Sequence, residues 1–354
     1  MTSSPTSAMH DTAPLLLADI GGTNARFALD YGEGNIDRIA TLSCADHAEF
    51  VHAVRAYLDA HVCHPASQTI RHAVIAIANP INGDLIKMTN HHWEFSIEAS
   101  RRALGFDTLL AVNDFAALAM AVPQLSATEL EKIGGGSSHE DGVIGVVGAG
   151  TGLGVAGLVP KDGSWLALSS EGGHVTFSPA DERELAVLRH CWQRYEHVSA
   201  ERLVSGTGIP LIYEALAAQH GAAAAEKPTA AAIVARALDG KDVLCLETLE
   251  CFCAMLGTVA GNLAVTLAAK GGIYIGGGVV PRLGSYFARS PFRLRFESKG
   301  RFSTFNAAIP TYVITAPYPA FVGAARILRD HLEEKHSCGI TMKPARPDLA
   351  QAAQ

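Results

Sequence analysis

Two stretches of this chain share one design, and that repetition limits the folds open to it. Leu15-Leu16-Leu17-Ala18-Asp19-Ile20-Gly21-Gly22-Thr23-Asn24-Ala25-Arg26-Phe27-Ala28-Leu29 reads as a buried strand, a glycine turn and a second strand. Val143 to Leu158, centred on Gly148-Ala149-Gly150-Thr151-Gly152-Leu153-Gly154, repeats the order: apolar strand, glycine turn bearing a Thr, apolar strand. Such an internal repeat predicts two related lobes, each opening with the same hairpin and together able to grip one phosphate chain from two sides. In the first turn Gly21 and Gly22 free the backbone for positive φ and let an anion reach the amides, while Thr23 and Asn24 add side-chain donors. Asp19 is acceptor-only when ionised, so beside phosphates it needs a water-bridged divalent cation between them. The plainer alternative is a tight hairpin turn with a solvated Asp.

The second turn spaces its glycines as G-x-G-x-G-x-G, and strand-like residues follow where a dinucleotide fold would start a helix. No Gly-Lys-Ser/Thr marks a P-loop either, so phosphate binding has to rest on backbone amides and a metal ion.

At 354 residues the chain has room for two domains with separate cores. A hydrophobic share of 48% against 18% charged describes a well-packed globule. With 28 Lys+Arg against 35 Asp+Glu, a net charge of -7 and no basic block, nucleic acid is not an expected partner. Seven cysteines (44, 63, 191, 245, 251, 253 and 338) lack a repeated C-x-x-C spacing, which points to reduced thiols in a cytoplasm and to neither a disulfide framework nor a zinc site. No signal peptide is expected ahead of Leu15, and no window is expected to reach the ~18 apolar residues of a membrane span.

Along the chain, Ala48 to Ala60 has helical spacing and His72 to Ala78 is a short apolar run typical of a central strand, ending at the turn-rich Asn79-Pro80-Ile81-Asn82-Gly83-Asp84. A further strand, Leu109 to Val112, finishes at Asn113-Asp114-Phe115 ahead of a helical Ala116 to Ala121, so Asn113 and Asp114 sit at a strand-to-helix junction, where α/β folds put function. Pro123 to Gly142 reads as a loop. Ser169-Ser170-Glu171-Gly172-Gly173-His174-Val175 offers a carboxylate and an imidazole able to bind a polyol. In His197-Val198-Ser199-Ala200-Glu201-Arg202-Leu203, Ser199 is a plausible N-cap with Glu201 in the first turn. Leu211 to Leu238 reads as two helices broken at Gly221 and Pro228. Cys245 to Ala269 is a long apolar helix whose Gly257 and Gly261 permit close packing. Gly271 to Pro281 is a strand running into Gly276, Gly277 and Gly278, against whose bare backbone a flat base and ribose could lie. Pro319 to Leu332 closes the chain as a helix, followed by a polar tail.

These segments, in this order, resemble the actin-like sugar kinases, specifically the bacterial glucokinases of the non-ROK type. The resemblance runs from about residue 14 to 333 and rests on Asp19 to Arg26, Asn113-Asp114-Phe115, Gly148 to Gly154, Glu171 to Val175, His197 to Arg202 and Gly276 to Pro281, with Met88-Thr89-Asn90-His91-His92-Trp93 beside them. The zinc motif of ROK proteins and room for a helix-turn-helix ahead of Leu15 are both missing. Ser169-Ser170 stands where a Pro-Gly pair often precedes the Glu, and Asn79 where a Cys is common; both departures bear on sugar preference.

What the resemblance implies is an α/β, two-lobed actin-like ATPase (ribonuclease H-like) fold with duplicated mixed sheets flanked by helices. Residues 14–123 plus 315–335 would form a small lobe and 124–314 a large one, between tails at 1–13 and 336–354. The implied activity is ATP-dependent phosphorylation of the glucose 6-hydroxyl in the cytoplasm, by a homodimer without nucleic-acid or membrane partners. Asp114 would be the general base, with Asn113, Glu171, His174, Glu201, Asn79 and Pro80 around the sugar. ATP would meet Asp19, Ile20, Gly21, Gly22, Thr23, Asn24, Gly150, Thr151, Gly152, Gly276, Gly277 and Gly278, and Asp19 would stand in the outer shell of Mg²⁺. A kinase for another hexose, a polyphosphate-dependent kinase and a non-catalytic sugar-responsive regulator on the same fold are the alternatives.

Overall fold

A computed structural model describes residues 13–32, 34–62, 70–79, 81–88, 91–221 and 227–340, the side chains of the last helix only as far as 335. The first part of the chain forms β1 (Leu15–Ile20), β2 (Asn24–Asp30), β3 (Ile36–Ser43), α1 (Phe50–His61) and β4 (His72–Ile77). It continues through β5 (Leu85–Lys87), β6 (Glu94–Ser96), α2 (Ile97–Leu104), β7 (Thr108–Asn113) and α3 (Asp114–Ala121). Then come β8 (Leu130–Ile133), β9 (Ile144–Ala149), β10 (Leu153–Lys161), β11 (Ser164–Ser170), α4 (Glu182–Trp192), α5 (Ala200–Leu203) and α6 (Gly208–Gln219). The last part holds α7 (Ala230–Leu238), α8 (Val243–Leu267), β12 (Gly272–Gly276), α9 (Ser285–Arg289), α10 (Phe292–Glu297), α11 (Ser303–Ala308), β13 (Thr311–Ile314) and α12 (Pro319–Ile340).

The strands assemble into two mixed sheets of one plan. The first runs β3-β2-β1-β4-β7 and the second β11-β10-β9-β12-β13-β8, beside a small β5-β6 hairpin. In each, an antiparallel meander of three strands is followed by two strands parallel to the first of them: β4 and β7 beside β1, β12 and β13 beside β9. The duplicated hairpin read in the sequence is therefore the opening of a duplicated sheet. In β1 and β9 the apolar runs are explained by burial, since parallel central strands are covered by helices on both faces.

Helix α8 is apolar all round because it runs through the core of the second sheet's half, the environment such a helix requires. It is long and apolar enough by composition to cross a membrane, which corrects the expectation that no window reaches that length; yet 72% of its most apolar window is buried within the protein. Gly257 and Gly261 do what their spacing predicts: a Cβ there would lie 2.4 Å from Phe292 O and 2.7 Å from Phe296 O, so the backbone of α10 rests directly on the helix.

Two further sequence expectations are corrected. The stretch Pro123 to Gly142 is no simple loop, because Leu130–Ile133 pairs antiparallel with β13 as the edge of the second sheet. Nor does the chain turn to a polar tail at about Glu334, since α12 continues to Ile340. That helix lies against α3 so closely that a Cβ on Gly323 would fall 1.7 Å from Ala117 O. An ion pair from its Arg329 to the buried Asp30 ties it to β2 as well.

Candidate active site

The registers of the two sheets bring the motifs together. Ile20, Ile77 and Asn113 stand side by side across β1, β4 and β7, so the Gly21-Gly22-Thr23 turn, Asn79 and Asp114 all emerge at the carboxyl ends of parallel strands. In the second sheet Gly148 pairs with Gly276, which sets the β9–β10 turn beside Gly277 and Gly278. These two glycine segments touch backbone to backbone. A Cβ on Gly277, whose φ is +78°, would lie 2.4 Å from Ala149 O, and Val279 N donates to the same oxygen at 3.0 Å.

Asp114 opens α3, and Asn113 is its N-cap: the Asn113 side-chain oxygen accepts from Phe115 N at 3.0 Å and Ala116 N at 3.1 Å. That leaves the Asn113 amide NH₂ as its free end. Phe115 N also donates to Asp114 Oδ1 at 2.9 Å. Burial pushes the Asp114 carboxyl up to about 6, with the negative charges of Asp19 and Glu171 adding to the rise against these backbone donors. Asp19 is raised too, by burial first, with the Arg26 guanidinium at 3.1 Å opposing.

Glu171, His174 and Glu201 form a cluster around the start of β10. His174 Nε2 lies 3.8 Å from Glu171 Oε2, and its Nδ1 lies 3.9 Å from Glu201 Oε1. Ser199 caps α5 through Arg202 N at 3.2 Å, with Glu201 in the first turn, as its sequence predicts. What the sequence does not announce is where that carboxylate points. Glu201 Oε2 accepts from Leu153 N at 2.9 Å, and a Cβ on Gly152 would fall 2.3 Å from it. Glu201 thus touches the β9–β10 turn itself.

The remaining expected site residues divide into those open to a ligand and those already engaged. A Cβ on Gly150 or Gly278 would meet nothing within 4 Å. Thr23 and Thr151 are exposed, and Gly22, Asn24, Gly152 and Gly277 are half-buried, while Gly276 is buried. The amides of Gly21 and Gly150 close their own turns onto Asn24 O and Gly152 O, at 3.0 and 2.8 Å. The Ile20 side chain is packed in the first sheet's core, so only its backbone faces the turn; a side-chain contact from it to a ligand is ruled out by that burial. Asn79 donates its amide to Lys87 O at 2.6 Å. Pro80, Thr89 and Asn90 lie outside the described residues.

Several supporting residues escaped the sequence reading. Arg26 partners Asp19 from across the hairpin, and a strand register places it there. Gly206 N donates to Gly150 O at 2.8 Å and Thr207 Oγ1 to Thr151 O at 3.2 Å, bracing the second turn from the head of α6. The run Ser205-Gly206-Thr207-Gly208 ahead of an apolar helix was the available signal. A cavity of about 1210 Å³ runs between β7, β11, α3 and α12 and reaches Asn113 and Glu171, bordering this site without including Asp114 or the glycine turns. Among the described cysteines, burial pushes the Cys251 and Cys253 thiols up to about 12, which fits core residues.

Duplicated mixed sheets, each opening on a glycine turn, with a half-buried carboxylate at a strand-to-helix junction of the first, are the architecture of the actin-like sugar kinases. Solved structures agree. A glucokinase from an Antarctic psychrotroph superposes with a TM-score of 0.79 at 37% identity over 90% of this chain and 99% of that one. A glucokinase of Balamuthia mandrillaris in complex with glucose gives 0.76 at 19% identity, covering 91% and 95%. A ROK-family transcriptional regulator also shares the fold, at 0.67 and 16% identity over 90% and 78%, so the fold alone does not specify catalysis.

The family model for glucokinase matches residues 16–331, and the chain belongs to that family. The glucokinase of Chromobacterium violaceum is 51% identical over 334 residues, 94% of either chain. The bifunctional protein glk of Burkholderia pseudomallei is 56% identical over 335 residues, 94% of this chain and 51% of that protein. The chain therefore spans about half the length of the first curated relatives it matches.

Proposed function

We propose that this chain is an ATP-dependent glucokinase, transferring the γ-phosphoryl group of Mg-ATP to the 6-hydroxyl of glucose in the cytoplasm. The observation that carries the reading is Asp114, a half-buried carboxylate at the head of α3 that burial raises to about 6, with the charges of Asp19 before the first glycine turn and of Glu171 in the Glu171-His174-Glu201 cluster adding to the rise. A primary alcohol is a poor nucleophile, and a carboxylate accepts its proton as the O–P bond forms. Because phosphoryl transfer has a loose transition state, that proton leaves late, so placement counts for more than basicity. Asp114 Oδ1 takes a hydrogen bond from Phe115 N, which holds the carboxylate in one orientation at the helix start.

The sugar would lie against donors and acceptors of both kinds. The Asn113 NH₂ is a donor because its oxygen is spent on the helix cap, and Glu171 and Glu201 are acceptors; a hexose lacking a matching hydroxyl would leave one of them unpaired. The phosphates would meet the amides of Gly22, Thr23, Thr151 and Gly152, with the nucleoside against the uncovered Gly278. Asp19, with Oδ1 not engaged by Arg26, would hold Mg²⁺ through its water shell, and the ion would neutralise charge on the transferred group.

Purified protein with Mg-ATP and a panel of hexoses, followed by ADP release, tests the reading. Glucose is expected to give the highest kcat/KM, and ADP release that no hexose stimulates would overturn it. The family resemblance also supports a homodimer, which sedimentation velocity would decide.

A further inference from the structure

Helix α3 carries Asp114 at its first position, and three glycines from three other elements receive it. Gly323 of α12 lies under the Ala117 carbonyl, Gly276 of β12 takes Leu118 Cδ2 at 2.5 Å from where its Cβ would be, and Gly154 of β10 takes the ring of Phe115. The last approach concerns the residue next to the carboxylate. A Cβ on Gly154 would lie 1.9 Å from Phe115 Cδ2, 2.0 Å from Cε2 and 2.4 Å from Cγ. Because Cγ is the root of the ring, no rotation about χ2 clears the clash; the whole side chain would have to leave its place against the core cluster that includes Val146, Ala156 and Leu158. The other end of that peptide stretch is the β9–β10 turn, where Glu201 accepts from Leu153 N. Residues 152–154 thus join the second turn, the Glu201 carboxylate and the residue after Asp114 within three positions.

We propose that Phe115, seated on the bare Cα of Gly154, is the positioning residue that fixes Asp114 relative to the β9–β10 turn, and that Gly154 is glycine to admit it. The inference rests on the kinase reading, since it assigns Phe115 a part in holding the base of that reaction. Lifting the ring would move the first turn of α3, and a displacement of about 1 Å at a reacting group costs on the order of 10²-fold in rate.

Gly154→Ala, Phe115→Ala and the double variant test it, each checked for folding by circular dichroism and assayed for hexose-dependent ADP release across pH. Gly154→Ala is expected to lower kcat by about 10²-fold with the ATP KM changed less than about threefold, and to move the acid limb of its pH profile. In the double variant the added methyl meets no ring, so kcat is expected to return to the level of Phe115→Ala alone, a non-additivity that independent sites do not give. Should Gly154→Ala fail to fold, Phe115→Ala carries the test by its own kcat loss and shifted acid limb at unchanged ATP KM. Full kcat with an unmoved acid limb in both single variants, or strictly additive losses, would overturn the inference while leaving the kinase reading intact. Hexose-independent behaviour of the unmodified protein would overturn both.

Discussion

At the scale of single residues, the proposed chemistry turns on one carboxylate in an unfavourable place. As the proposed base Asp114 would serve only when ionised, so kcat/KM for sugar is expected to fall as pH drops through about 6, the value to which burial and its acidic neighbours raise it, with one inflection there in a pH–rate profile. Asp114→Asn should lower kcat by roughly 10²- to 10⁴-fold, the usual worth of a general base. The sign for stability runs the other way. A carboxyl whose folded pKa lies near 6, above its ordinary 3.8, favours the folded state at low pH and loses that contribution as pH rises through 6. Asp114→Asn is therefore expected to melt at no lower a temperature than the unmodified protein at pH 7.5, and a clear fall in Tm there would count against the burial argument. Gly150→Val gives the complementary case. Its Cβ would meet nothing, so Tm should hold, while the ATP KM rises if phosphates lie against that turn.

At the scale of elements, what could be read from the sequence was what is encoded locally. The Ser199 cap, the strand-to-helix junction at Asn113-Asp114, the glycine turns, the apolar β9 and the two close-packing glycines of α8 follow from spacing and propensity alone. Strand β8 could not be read that way: Leu130-Glu131-Lys132-Ile133 has two charged residues in four and becomes a strand only because β13 offers it an edge. The same holds within the candidate site. Glu201 was legible as a first-turn carboxylate, but its bond to Leu153 spans 48 positions and is a product of the fold. Phe115 was legible as the end of the Asn113-Asp114-Phe115 motif, but its packing was not, since nothing local says that Gly154 lies beneath the ring. The α3–α12 crossing gives an element-scale prediction. Gly323→Ala pushes the two backbones apart and should cost about 1–3 kcal/mol by overpacking, read as a lowered midpoint in urea.

At the scale of the whole molecule, two sheets of one plan present their strand ends to a common space, and the groups expected around the sugar come from both. Asn113 and Asp114 follow β7 of the first sheet; Glu171 follows β11 of the second, and Glu201 leans on the second sheet's turn. Under the proposed function, a ligand that bonds to both sets would draw them together and exclude water from the reacting hydroxyl. Glucose is expected to reduce the radius of gyration in small-angle scattering, whereas a sugar that binds without engaging both sets would leave it unchanged.

The seat of α12 has a consequence for the order in which the protein is made. Its partners include α3 and Asp30, both made before residue 122, yet the helix itself begins only at Pro319. As a nascent chain leaves the ribosome, the alanine-rich face of α3 waits uncovered through the synthesis of the entire second sheet. The half that holds the proposed base is thus closed over only after the second sheet has been made, by a strap threaded back across the molecule.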